Sequence, residues 1–194
     1  ACVPMHALGH PVRIERLLAV CGARGILVIE DAAESLGSSW RGRPLGSFGR
    51  VGTLSFNGNK IATTGGGGAI VTDDEALARR AKHLSTQAKS DAAAFWHDAV
   101  GFNFRLPNVN AAIGCAQLEQ LDGFAARKRE IAALYRKRLE GSALRLVWEP
   151  EGARSNFWLN TVIAPSPEAQ ERVLKNLNAH GFGCCCLRHF SRRA

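Results

Sequence analysis

Residues 51–70 read V-G-T-L-S-F-N-G-N-K-I-A-T-T-G-G-G-G-A-I. A short strand-like run over 51–56 leads into an irregular segment that carries one lysine, Lys60. Four consecutive glycines, Gly65 to Gly68, follow, and a second β-rich run covers 69–72. A lysine displayed at a strand end beside bare backbone is poor core material. It is workable as a reactive amine with exposed N–H groups nearby. On this stretch alone the blander reading, a solvated loop lysine beside a glycine hairpin, has the edge, and the flanking sequence has to decide.

Upstream, apolar Ile14, Leu17, Leu18 and Cys21 recur at helical spacing over 12–23, and Gly22 and Gly25 close the run. Ile26-Leu27-Val28-Ile29 is a continuous aliphatic run, as expected of a strand buried on both faces of a parallel sheet. Helix then strand is half of a βαβ unit. Glu30, Asp31 and Glu34 follow that strand, where α/β folds place ligands, although acidic residues also suit the first turn of a helix. Residues 4–11 read as turn material after a strand end, and 37–49 as a Gly/Ser/Pro-rich loop.

Downstream, Thr72-Asp73-Asp74-Glu75 predicts a capping box opening a helix through Leu84. Residues 85–100 lack periodicity, and 101–107 form a polar-aromatic loop stopped by Pro107. Asn108 or Asn110 is expected to cap a helix over 111–121, followed by a long amphipathic helix over 125–139. Strands are expected over 144–148 and 156–163, and a last helix starts at Ser166-Pro167 and ends at Gly181. The expected architecture is α/β over residues 1–122, then a linker helix and a small α+β part over 123–194.

The 194 residues are 46% hydrophobic, enough for one or two packed domains. No run approaches the ~18 apolar residues of a membrane span, so no membrane partner is expected. The net charge of +8 invites a nucleic-acid reading. However, the basic residues gather on one helical run (127–138) and in the tail, without interleaved aromatic platforms, so no nucleic-acid partner is expected. Six cysteines lack C-x-x-C spacing and no histidine pair has ligand spacing, which argues against a metal site and suits a cytosolic protein. The chain begins with Ala1, which reads as a fragment lacking an N-terminal portion.

An aspartate at a strand end with an accessible lysine downstream suits pyridoxal 5′-phosphate. The lysine forms a Schiff base with the aldehyde, while the aspartate keeps the ring nitrogen protonated. Serine and glycine backbone near the lysine can meet the phosphate. Aspartate and lysine are common, so the pair by itself is only suggestive.

Three segments add specificity: E-D-A-A-E-S-L-G-S (30–38), S-F-N-G-N-K-I-A-T-T-G-G-G-G (55–68) and G-F-N-F-R-L-P-N-V-N-A-A-I-G-C-A-Q-L (101–118). In this order they closely resemble the DegT/DnrJ/EryC1/StrS family of PLP-dependent sugar aminotransferases, over about residues 4–181. The resemblance implies part of a PLP-dependent transferase fold of type I, like aspartate aminotransferase, with residues 1–122 as the C-terminal portion of the large domain. It implies that Lys60 is the Schiff-base lysine, shuttling a proton between the substrate carbon and cofactor C4′. Asp31 would pair with the pyridine nitrogen, and Glu34 would lie near the ring hydroxyl. Ser55 would bond the phosphate, and Asn103 would reach the phosphate in the neighbouring subunit, in a homodimer with shared sites.

P-M-H-A-L-G (4–9) resembles a family loop near the site, and His6 takes no role from it. Thr86-Gln87-Ala88-Lys89 is similar to subgroups acting on bacterial surface-sugar precursors. Dehydratases of the family carry histidine at the lysine position, so Lys60 implies transamination from glutamate, or another amino acid, to a nucleotide-linked keto-sugar. The alternative implied is a non-catalytic or regulatory PLP-fold binding protein, or an inactive fragment. Two departures stand out. The family's upstream phosphate loop and ring-stacking residue are missing, and the tail over 182–194, with its Cys184-Cys185-Cys186 run, does not follow the family pattern.

Overall fold

In a computed structural model of the chain, residues 1–91 and 93–185 are described. Helix α1 (Ile14–Gly22) precedes strands β1 (Ile29–Asp31), β2 (Ser39–Trp40), β3 (Arg43–Pro44), β4 (Val51–Ser55) and β5 (Gly68–Val71). Next come α2 (Glu75–Ser85), β6 (Lys89–Asp91), β7 (Trp96–His97), α3 (Asn108–Leu118) and α4 (Leu121–Arg138). The chain then forms β8 (Arg145–Leu146), β9 (Ala153–Arg154), β10 (Val162–Ile163) and α5 (Pro167–Ala179). It divides into two compact units, one of Ala1–Ala132 with Glu149–Leu159 and one of Ala133–Trp148 with Asn160–Ala194. No helix among the described residues is long and apolar enough to cross a membrane.

The first unit is built on the sheet β1-β4-β5. β1 and β4 run parallel, with Asp31 opposite Thr53, while β4 and β5 form the expected hairpin around the glycine run. Close backbone approach dictates Gly52, where a Cβ would collide with the Gly46 carbonyl. The segment before α1 bridges the sheet in parallel at Cys2–Val28 and Met5–Asp31. α1 covers the sheet through a core of Ile14, Cys21 and Val28. The reading of 26–29 as a strand buried on both faces needs correction. Ile26 and Leu27 are exposed, because α1 packs only on the Val28 side and regular pairing starts at Ile29.

Three further expectations shift for local hydrogen-bonding reasons. The α2 N-cap is Asp74, whose carboxylate accepts the Leu77 N–H at 2.9 Å, while Thr72 Oγ1 donates to the Arg50 carbonyl and accepts the N–H of Asp74 itself at 3.1 Å. α3 is not capped by an asparagine side chain: Pro107 precedes it, and Asn110 donates instead to the Thr64 carbonyl at 2.5 Å. The glycine-rich 37–49 loop contains the β2–β3 hairpin, to which β9 adds a third strand.

The predicted strand over 156–163 survives only as β10, which pairs with β8 in the second unit. Its first part is a buried turn. Ser155 Oγ accepts the Phe157 N–H at 3.1 Å, Asn156 Oδ1 accepts the Trp158 N–H at 2.8 Å, and Phe157 adopts φ +46°. Side chains that bond their own backbone two residues on draw a segment away from strand pairing. In the second unit Ser166 caps α5 as expected from Ser-Pro. Cys184 exchanges two backbone hydrogen bonds with the Asn178 side chain. The remainder of the atypical tail, 186–194, lies outside the described residues.

Candidate active site

Parallel pairing brings the C-terminal ends of β1 and β4 to one edge, and register sets which residues share a face. Asp31 is opposite Thr53, and Ser55 returns to the Thr53 face two residues later. Asp31, Thr53 and Ser55 therefore line one face at the edge where α/β sheets bind ligands. Asp31 Oδ1 accepts the Ala33 N–H at 3.1 Å, which fixes the carboxylate's orientation. Ser55 Oγ accepts the Asn57 N–H at 3.4 Å.

Beyond β4 a turn closes with the Lys60 N–H donating to the Asn57 carbonyl at 3.0 Å. Lys60 Nζ then lies 3.7 Å from Glu34 Oε1 and 4.1 Å from the centroid of the Trp158 ring. The lysine side chain is 13% exposed and that of Glu34 21%. The other Glu34 oxygen accepts the Leu8 N–H at 2.6 Å, which ties the 4–9 loop to the site. Asn103 sits apart in an exposed loop, its backbone bridged to Thr86, so no described contact joins it to the other four residues.

The opposite face of β1 is closed. Glu30 is fully buried, with its carboxylate accepting from His6 Nε2 at 2.9 Å and from the N–H groups of Gly46 at 2.9 Å, Phe48 at 2.5 Å and Gly49 at 2.6 Å. Burial, the largest influence on this carboxyl, pushes its pKa up. Hydrogen bonds from His6, Gly49, Gly46 and Phe48 outweigh burial and hold it below the ordinary value. The Val12 N–H donates to His6 Nδ1 at 3.2 Å, so the other ring nitrogen, Nε2, carries the hydrogen that Glu30 accepts. His6 is thus part of the scaffold behind the site.

Sequence reasoning missed Trp158 and Asn156. Asn156 donates to the carbonyls of Glu34 at 3.0 Å and Leu36 at 2.9 Å, and its N–H reaches Ser38 Oγ at 2.9 Å. The Trp158 Nε1–H donates to the Asn59 carbonyl at 2.7 Å. Arg129 and Glu149 form a bidentate pair, both contacts at 2.7 Å, and also bond the backbone of Ser155. An asparagine between a serine and two aromatics was the available signal, and a strand assignment concealed it.

The family profile of the DegT/DnrJ/EryC1/StrS aminotransferases matches residues 1–192. The chain belongs to this family. It is 39% identical over 177 residues to GDP-perosamine synthase from Escherichia coli O157:H7, an alignment covering 91% of this chain and 48% of that protein. Among solved structures it is similar to the aminotransferase TlmJ from Streptoalloteichus hindustanus, with 30% identity and a TM-score of 0.90, covering 98% of this chain and 53% of that one. It is also similar to the E. coli GDP-4-keto-6-deoxy-D-mannose-3-dehydratase solved with bound hydrated PLP, at 25% identity and a TM-score of 0.85, covering 94% and 52%. The chain spans about half the length of the curated relatives it matches.

The family's cofactor is pyridoxal 5′-phosphate, and the donor set here fits it. An oriented carboxylate (Asp31) and a hydroxyl (Ser55) share one sheet face, and a little-exposed amine (Lys60) follows at the same edge.

Proposed function

We propose that the protein containing this chain moves an amino group from an amino acid, with glutamate the leading donor, to the keto carbon of a nucleotide-linked sugar. The supporting observation is that Asp31, Glu34, Ser55 and Lys60 gather at the C-terminal edge of β1 and β4. When bound, pyridoxal 5′-phosphate supplies an electron-accepting ring that stabilises negative charge on the carbon bearing the nitrogen. Asp31, oriented by the Ala33 N–H, would hold the proton on the ring nitrogen. The Ser55 hydroxyl would donate to the phosphate, and Glu34 would face the ring hydroxyl. Lys60 Nζ would bond the cofactor and, when released, would take up and return a proton.

In this reading Asn103, exposed on its loop, serves the site of a second copy, which makes the working form a homodimer. Five free cysteines among the described residues suit a reducing cytoplasm. Full-length protein loaded with the cofactor and reduced with borohydride should carry it on the peptide containing Lys60. Lys60→Ala should lose this label together with on the order of 10²–10⁴-fold of the transfer rate. A label on another residue would overturn the lysine assignment. Failure to release 2-oxoglutarate from glutamate with every nucleotide-linked keto-sugar tried would favour a binding or regulatory protein.

A further inference from the structure

Lys60 has four rotatable side-chain bonds and follows a short turn, yet its nitrogen has two close neighbours. Glu34 Oε1 is 3.7 Å away, and the Trp158 ring centroid is 4.1 Å away. Both holders are themselves fixed. Glu34 is pinned through its carboxylate by the Leu8 N–H and through its carbonyl by Asn156. Trp158 is 7% exposed, and its indole N–H is bonded to the Asn59 carbonyl, next to the lysine itself. Its backbone is also held, because its N–H meets Asn156 Oδ1 and its carbonyl accepts from Lys128 Nζ at 3.2 Å. One buried turn thus anchors the ring and the carboxylate together.

We propose that Trp158 is a positioning residue for Lys60, its indole face and the Glu34 carboxylate forming a cradle that keeps the free amine aimed at the cofactor aldehyde. This rests on Lys60 being the amine that bonds the cofactor. A long alkyl amine loses much rotamer freedom when ordered, and a cation facing an indole is held by the ring's quadrupole. Pre-ordering the amine raises the fraction of time it spends in attacking position. On this reading the held ammonium would first give one proton to solvent. The neutral Nζ would then attack, joining the aldehyde carbon as a carbon–nitrogen double bond while the aldehyde oxygen leaves as water with the two protons remaining on the nitrogen.

The test mixes cofactor-free, full-length protein with pyridoxal 5′-phosphate and follows bond formation by stopped-flow absorbance. Trp158→Leu should capture the cofactor about tenfold more slowly, within the reach of a partly desolvated cation–π contact. Its affinity for pyridoxamine 5′-phosphate, which cannot bond to lysine, should stay at the wild-type value. Trp158→Phe, which keeps a ring face, should stay within about threefold of the wild-type rate. An unchanged or faster rate in Trp158→Leu overturns the cradle, as does an equal loss of affinity for pyridoxamine 5′-phosphate. Should Trp158→Leu fail to fold by circular dichroism, Trp158→Met is measured instead, with the same slowing of capture expected and an unchanged rate again overturning the cradle. Wild-type protein that forms no bond at Lys60 would instead defeat the lysine assignment.

Discussion

The two faces of β1 carry neighbouring carboxylates with opposite surroundings. Glu30 points into a closed interior and receives four hydrogen bonds, three from backbone N–H groups of the 46–49 segment. Asp31, one residue later, lies on the face shared with Thr53 and Ser55 and is oriented by the Ala33 N–H. The same pattern recurs at Glu34, which takes one backbone bond and turns its other oxygen to a lysine. A saturated carboxylate is a structural part, whereas one held at a single point keeps capacity for a ligand.

Swapping the two roles by mutation breaks the comparison most sharply. If Asp31 has the role proposed for it, Asp31→Ala should lower amino transfer on the order of a thousandfold while leaving the urea midpoint nearly unchanged, since the loss is then of charge stabilisation at the cofactor. A large loss of stability in that variant would erase the distinction. Glu30→Gln should do the reverse. It removes the charge that several donors share and should destabilise the full-length protein by about 3 kcal/mol in urea titration, in the range for breaking a buried pair.

Asn156→Ala tests whether the 155–158 turn belongs with the closed face or the open one. It strands the carbonyls of Glu34 and Leu36 and should reduce stability by about 2 kcal/mol, with cofactor capture slowed in parallel. The smallest effect is in pH dependence. The Glu30 and Glu149 carboxyls titrate below their ordinary values, and for each burial pushes up while hydrogen bonds, with the charge of Arg129 at Glu149, win. Burial lowers the pKa of His10 against the opposing pull of Glu149. In every case the unfolded chain binds protons more readily, so stability is full above the unfolded pKa and is lost as pH falls through the folded one. Thermal melts should fall first as pH drops below about 6.5, the ordinary histidine value, and again through the carboxylate range. His10→Phe should flatten the first decline, and the second less, through the weak pull of His10 on Glu149.

Much of this was legible in sequence because it rests on local signals. The β4–lysine–glycine–β5 hairpin, the acidic strand end and the helices at 14–22, 75–85 and 167–179 all follow from periodicity and breakers. Short hairpins at 39–44 and 89–97 were invisible, since strands of two or three residues leave no periodic trace. The partners of Glu30 were equally hidden, because glycine N–H groups donate without any side-chain signature. Trp158 eluded the reading for a different reason. An aliphatic and aromatic run reads as a strand until one knows that Asn156 and Ser155 fold back on their own backbone.

The bond from Asn156 to the Glu34 carbonyl spans 122 positions, and that from Trp158 to Asn59 spans 99. On a ribosome the lysine emerges ahead of Trp158 and unsupported by it, and its surroundings wait for residue 158 to clear the exit tunnel. Long-range closure of this kind is slow to form, so a nascent chain halted before that point would hold every residue named in the three recognisable segments and still lack a finished pocket.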